Sequence, residues 1–305
     1  MSNTLQNLQG ERLRRALWLC NVLPFGYGNV LRNWLVGYAS PFTGHLGARV
    51  SEARPGSALL ELSWGSRIEA GKYANFLKAE VMPMFTPEEG ACLGIEVRRE
   101  LLGANGSLHP VAMSLLCTQT AQVAIASKLP GQRFKLRSLK GTFGYRVTGW
   151  LSTSCVLSAV GDRVTAEARL YSDDDVTVAT VVTEWVRRGD EEGDFTGTDP
   201  LALLHIGEEA GRLAFLSQLP AEGEAFLSAL EMEIEQETGG TVTASSRSVI
   251  PVLPEPGAKS ANGGAARLEY DALAAIKLGD RPVAHVTSRY SVGRARASAR
   301  LALQN

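Results

Sequence analysis

HPVAMSLLCTQTAQVAIASKLP, His109 to Pro130, recurs later in the chain as DPLALLHIGEEAGRLAFLSQLP, Asp199 to Pro220, and the two align without a gap. They share Pro110 with Pro200, Ala112 with Ala202, Ala124 with Ala214, Ser127 with Ser217, and the closing Leu129-Pro130 with Leu219-Pro220. Each reads as a helix. Proline is favoured at the first helical position, where its missing N–H is not needed, and it ends a helix by disfavouring helical geometry in the residue before it. Asp199 is a good N-cap. From Val111 to Ala126 the first copy is apolar or small on nearly every face, so its helix should be enclosed on most sides.

Outward from the helices the similarity continues with a shift of one residue: LKGTFGYRVTGWLSTS, Leu139 to Ser154, against LEMEIEQETGGTVTAS, Leu230 to Ser245. Helix, Leu-Pro stop and strand in the same order indicate an internal duplication. Beyond each helix the period becomes two. Val164, Ala166, Ala168 and Leu170 alternate with polar or larger residues, and Val176 to Trp185 is β-rich. Thr241 to Val252, Ala266 to Leu278 and Pro282 to Val292 read as strands of the second copy. The division expected is a helical lead-in over 1–36, a first unit over 37–188, the linker GDEEGDFTGT over 189–198, and a second unit over 199–305. PEPGAKSANGG, Pro254 to Gly264, joins strands. Ahead of the first copy stand two strand-like segments, Ala48 to Trp64 and Ala91 to Leu101, and ahead of the second there is none. Ala91 to Leu101 is therefore expected to cross over as the missing first strand of the second unit. Ser66 to Met84 reads as a helix within an insertion of about 66–90.

Apolar residues make up 45% of the chain, enough for a real core, and 31 basic residues face 32 acidic ones. That balance predicts no footprint for nucleic acid or a membrane. Cys20, Cys92, Cys117 and Cys155 lie apart in apolar stretches and read as buried thiols. The run from Ala16 to Pro24 is too short to span a bilayer and no signal-peptide cleavage pattern follows it, so a cytoplasmic protein is expected. There is no P-loop, dinucleotide fingerprint or metal-ligand spacing.

PFTGHLGARVSEARPGSALLEL, Pro41 to Leu62, then GSLHPVAMSLL, Gly106 to Leu116, and YRVTGWLSTS, Tyr145 to Ser154, resemble the hotdog family related to phenylacetate-type acyl-CoA thioesterases. The likeness runs from about Leu23 to Val186, and the second copy shows it only from its helix onward. It implies an α+β fold: two hotdog units, each a long central helix wrapped by an antiparallel sheet, packed as an intramolecular pseudo-dimer. It also implies a site between units, where a His at the entrance of one helix meets a carboxylate nine positions after the His position of the other copy. The first copy carries His109 and Thr118 at these places, the second Asp199 and Glu208. His109 would therefore meet Glu208, while Asp199 with Thr118 would be inactive. Glu208 would be the general base, its pKa raised by burial. Asn105, Val111, Thr118, Gln119 and Gln122 are the candidate substrate contacts.

One departure matters. The family's oxyanion donor is the N–H after the His, and Pro110 has none; Pro200 repeats the defect, leaving Val111 N–H as a substitute. Loss of such a donor costs on the order of 100- to 1000-fold in rate. The resemblance thus implies acyl-thioester processing of the hydrolase kind, with acyl-CoA or acyl-carrier protein as substrate and partner. No cofactor beyond that CoA or phosphopantetheine is implied, and no metal. Two alternatives stand: a dehydratase, isomerase or cyclase on a carrier-bound acyl chain, or a non-catalytic acyl binder. TQTAQ, Thr118 to Gln122, resembles the Glu-x-x-Ala-Gln run of hotdog dehydratases with Thr in place of the acid. A fused pair could stand as a monomer or form a homodimer. His45, His205 and His285 read as isolated core or surface residues, one of Glu208 and Glu209 as solvated, and Met82 and Met84 as core filling.

Overall fold

Alternating burial along four strands after each helix sets the architecture: on one of them Val164, Ala166, Ala168 and Leu170 are all buried. The computed structural model describes residues 15–20, 22–23, 27–62, 73, 76–83, 90–103, 106–144, 149–189, 199–218, 224–235, 242–252 and 268–293. The helices are α1 (Tyr27–Ala39), α2 (Pro41–Leu46), α3 (Pro110–Lys128) and α4 (Pro200–Gln218). The first strands are β1 (Arg49–Arg54), β2 (Ser57–Leu62), β3 (Glu80–Val81) and β4 (Ala91–Glu96). After α3 come β5 (Phe134–Phe143), β6 (Trp150–Val160), β7 (Arg163–Ser172) and β8 (Thr177–Arg187). After α4 come β9 (Glu224–Ile234), β10 (Val242–Val252), β11 (Leu268–Leu278) and β12 (Arg281–Gly293).

Among the described residues the twelve strands form one sheet, in the order β1-β2-β10-β11-β12-β9-β5-β8-β7-β6-β4-β3, with every pairing antiparallel. The order β5-β8-β7-β6 in one half is repeated as β9-β12-β11-β10 in the other. The halves meet at β5 and β9, where Ser138 faces Glu233, Lys140 faces Glu231 and Thr142 faces Ala229. Under the shift of 91 that aligns Leu139 with Leu230, Lys140 and Glu231 are equivalent residues, so this register is symmetric about them. Helix α3 packs on β4, β6, β7 and β8, and α4 on β2, β10, β11 and β12. Among the described residues no helix is long and apolar enough to cross a membrane.

One early strand does change halves, but not the one expected. Ala91–Glu96 stays with the first half, pairing with β6, while Ser57–Leu62 pairs with β10 of the second. The burial patterns explain the choice. β2 buries only alternate residues, Ala58, Leu60 and Leu62, and needs a helix on one face; β4 is buried from Ala91 through Ile95. Past Glu96 the backbone turns into a 3-10 segment at Arg99–Leu101 rather than continuing as a strand. In the stretch expected to be helical, Glu80–Val81 is a short strand, and residues 63–72 and 84–89, Met84 among them, lie outside the described residues. So do 190–198 of the linker and the loop 254–264. The four cysteines are free and buried.

Helix α4 lies close on its strands because Gly207 and Gly211 face them. A Cβ on Gly207 would stand 2.5 Å from Val286 Cγ2 and 2.8 Å from Val286 Cβ, and one on Gly211 3.2 Å from Ala272 Cβ. Gly207→Ala should destabilise the fold by about 1–3 kcal/mol through overpacking. In a Val286→Ala background the same change should cost clearly less, which urea unfolding of the four proteins in the cycle measures.

Candidate functional site

His109 and Asp199 are the N-caps of the two long helices. The Nδ1 atom of His109 accepts the Val111 N–H at 3.2 Å, and Asp199 Oδ1 accepts the Leu201 N–H at 2.9 Å. A capping Nδ1 is unprotonated, so the neutral His109 ring carries its proton on Nε2. Nε2 stands 3.5 Å from Oε2 of Glu208, in the middle of α4, and both side chains are buried. Neither atom has a hydrogen-bond partner among the described residues. Tyr290, on β12, donates its O–H to Glu208 Oε1 and to the Glu208 carbonyl, each at 3.4 Å.

Burial sets the charge states. Desolvation, with the Arg212 cation adding to it, lowers the His109 pKa to about 3. Desolvation, reinforced by the neighbouring Glu209 charge, raises Glu208 to about 8. At neutral pH the pair is therefore a neutral imidazole and a protonated carboxyl.

Beside this pair lies a second buried network. Glu209 is held by Arg212, whose Nε donates to Oε2 at 2.9 Å and whose Nη2 donates to Oε1. Thr43 of α2 donates to Glu209 Oε2 at 3.0 Å, which leaves its oxygen to accept from Ser40 Oγ at 2.8 Å and from His205 Nε2–H at 3.3 Å. Tyr73 then donates to His205 Nδ1. Burial, joined by the nearby His109 and Arg212, keeps the His205 pKa well below its ordinary value. The Phe42 ring packs against both imidazoles, its centroid 4.9 Å from that of His109 and 4.6 Å from that of His205, and the two imidazoles are themselves 4.9 Å apart.

His109, His205 and Glu209 place ligand atoms within 4.8 Å of one another. Their hydrogen bonds do not suit a metal. Both rings accept at Nδ1 and carry the proton on Nε2, the reverse of a metal-bound imidazole, and Arg212 occupies Glu209.

The structure thus brings His109 and Glu208 together. Val111 is buried but its N–H is taken by His109, so it is not a spare donor. Thr118 is buried and donates to the Ser114 carbonyl of its own helix at 2.7 Å. Gln119 is half-buried, and Gln122 is exposed roughly 20 Å along the helix from the cap. Asn105 lies outside the described residues. Glu209 is not solvated: it is as buried as Glu208. His205 is buried as a core reading expects, yet it belongs to the network; His285 is exposed and paired with Glu235 at 3.1 Å. His45 stacks on Phe76. Met82 is half-buried. Sequence reasoning passed over Arg212, Tyr290, Phe42, Thr43 and Tyr73. The signal for Arg212 was present in EEAGR, where Glu209 and Arg212 sit three apart on one helical face.

A cavity of about 680 Å³ opens beneath α1, with apolar walls that include Val30, Trp34, Tyr38 and Leu60. Thr43 and Glu209 border it. Neither His109 nor Glu208 lines it.

A hotdog-fold protein of unknown function from Alicyclobacillus acidocaldarius superposes with a TM-score of 0.51 at 9% identity, over 71% of this chain and 97% of its own. A 12:0-ACP thioesterase from Umbellularia californica gives 0.47 at 10% identity, over 66% and 94%. An acyl-ACP thioesterase from Bacteroides thetaiotaomicron gives 0.47 at 9% identity, over 66% and 97%. No family model and no curated protein matches the chain. The first of these likenesses shows the hotdog fold.

The two shifts predict opposite effects on stability. Glu208 binds its proton more tightly folded than unfolded, so its contribution falls as pH rises from about 4.5 to about 8. His109 binds its proton less tightly when folded, so its contribution rises from about pH 3 to about 6.5. The two cancel between about 4.5 and 6.5, and above that Glu208 alone acts. Glu208→Gln should therefore gain about 2 kcal/mol on wild type between pH 6.5 and 8, read as the difference between their unfolding free energies. Arg212→Met leaves the buried Glu209 carboxylate without its cation and should cost about 3–5 kcal/mol in the same assay at neutral pH.

Proposed function

We propose that the chain processes an acyl thioester at His109 and Glu208, and that its halves act as an intramolecular pseudo-dimer of two hotdog units. One observation carries the reading: a proton-bearing Nε2 and a carboxyl oxygen, from helices of different halves, face each other at 3.5 Å in a buried site with no other partner among the described residues. The symmetric register at Lys140 and Glu231 supports the pseudo-dimer. In two identical chains this position would set like charges opposite one another; here it sets Lys against Glu, which is favourable.

In this reading the acyl group lies between the two helices. The ionised fraction of Glu208, about a tenth at pH 7 for a pKa of about 8, takes a proton from water as it attacks the thioester carbonyl. The His109 Nε2–H donates to the oxygen as it becomes an oxyanion. Collapse breaks the C–S bond, and Glu208 returns the proton to the departing thiolate. Water and thioester give acid and thiol, with the CoA or carrier phosphopantetheine as the leaving group. Tyr290 positions Glu208. The equivalent pair, Asp199 and Thr118, has no part: one caps its helix and the other bonds its own backbone.

The second reading keeps the pair and changes the reaction to dehydration, isomerisation or cyclisation of a carrier-bound acyl chain. It is favoured by the missing oxyanion donors, since Pro110 has no N–H and Val111 N–H is taken by His109. Proton transfer between Glu208 and substrate needs fewer such donors than hydrolysis does.

A panel of acyl-CoA and acyl-carrier-protein thioesters, followed by thiol release and by mass spectrometry of the acyl product, tests the proposal. Thiol release supports hydrolysis; a changed acyl chain still on its carrier supports the second reading. Either activity should fall by about 100- to 10,000-fold in Glu208→Gln. Acyl binding without turnover, unchanged in Glu208→Gln, would make the protein a binder and sink the enzymatic reading.

A further inference from the structure

Helix α1 is inside out. Its buried stripe is Gly28, Arg32 and Val36, while Tyr27, Val30, Leu31, Trp34 and Tyr38 face outward at 38% to 72% exposure. The inward polarity has a cause. β1 is an edge strand with a bulge between Val50 and Glu52, and its backbone needs partners. Arg32 donates to the Ser51 carbonyl at 2.9 Å, and Asn33 Oδ1 accepts the Val50 N–H at 2.6 Å. Nothing in that arrangement calls for apolar residues on the outer face.

The apolar surface continues beyond α1. In the helical residues before it, Trp18 and Leu19 are exposed, as are Val22 and Leu23. The other large exposed apolar side chains among the described residues, such as Val81, Val160 and Leu273, are scattered. Trp34 and Tyr38 stack with centroids 5.3 Å apart and also line the apolar cavity. The surface is thus continuous with a cavity mouth. Charge adds a second observation. Within residues 1–50 Glu11 is the single acid, against Arg12, Arg14, Arg15 and Arg49, apart from Arg32, which is buried and turned inward. The near-neutral total hides this local cationic excess.

We infer that this face docks on an anionic lipid bilayer and sets the cavity mouth at the membrane surface. Tryptophan and tyrosine suit the boundary between headgroups and acyl chains, and arginine beside them suits anionic headgroups. The face is formed by two neighbouring helical stretches, joined where Gly28 meets Cys20, which favours a broad plane over the narrow seam of a coiled-coil dimer. The inference is independent of the chemistry at His109 and Glu208.

Flotation of the full chain with phosphatidylcholine vesicles, with and without about a third phosphatidylglycerol, tests it. Partition should be about tenfold or more stronger on the anionic vesicles and should fall with salt. Trp18→Glu with Val22→Glu, neither of which lines the cavity, should weaken it by a further tenfold or so, while Val160→Glu on β6 should leave it unchanged. Circular dichroism and melting temperature check that the variants fold; if the charged pair does not, Trp18→Ala with Val22→Ser takes its place. Absence of vesicle binding overturns the inference, as does binding that the double variant leaves intact. Self-association lost in the double variant, without vesicle binding, would show instead that the face meets a second copy.

Discussion

Lys140 and Glu231 face each other at the centre of the β5–β9 pairing, and the rest of the molecule depends on that register. It joins two similar sets of strands into one sheet, and each set carries its own long helix. With the strands antiparallel and the register symmetric, the capped end of α3 comes to the middle of α4. His109 and Glu208 meet there although they lie almost a third of the chain apart. A one-residue slip would turn every side chain of the joining strands to the opposite face, so the core excludes alternatives.

Burial follows from the same junction and produces the electrostatics. Two adjacent carboxyls on α4 are both buried, yet they have different partners. Glu209 faces Arg212 and Thr43 and is held as an ion pair. Glu208 faces a neutral imidazole and a tyrosine hydroxyl, and its pKa rises to about 8. A buried carboxyl with a partner cation stays ionised, and one without becomes a proton donor or acceptor near neutral pH. One helical step of about 100° separates the two environments.

Much of the fold was legible in the chain because it is written in short-range spacing. Proline at both helix starts, Leu-Pro at both stops and alternation in β7 each report on a few neighbouring residues. The helix expected from Val111 onward is found as Pro110–Lys128. The direction of the strand exchange was not legible, because Ala48–Trp64 and Ala91–Leu101 are both acceptable strands when read alone. Nor was the burial of Glu209: EEAGR looks like a solvated turn until the strands and α2 close over it. His205 looked isolated because its partners, Tyr73 and Thr43, lie more than a hundred residues away.

The sequence by itself determined the repeated helix-and-strand plan, the capping residues, and which copy carries His109 and which Glu208. These depend on side-chain type and spacing within one element. Only the tertiary structure decided that β2 rather than β4 joins the second half, that the Val111 N–H is spent on His109, and that Glu209 rather than Glu208 has the cation. Each of those outcomes is a competition among distant groups for one partner in a closed interior, and the spacing of neighbours along a chain does not encode its result.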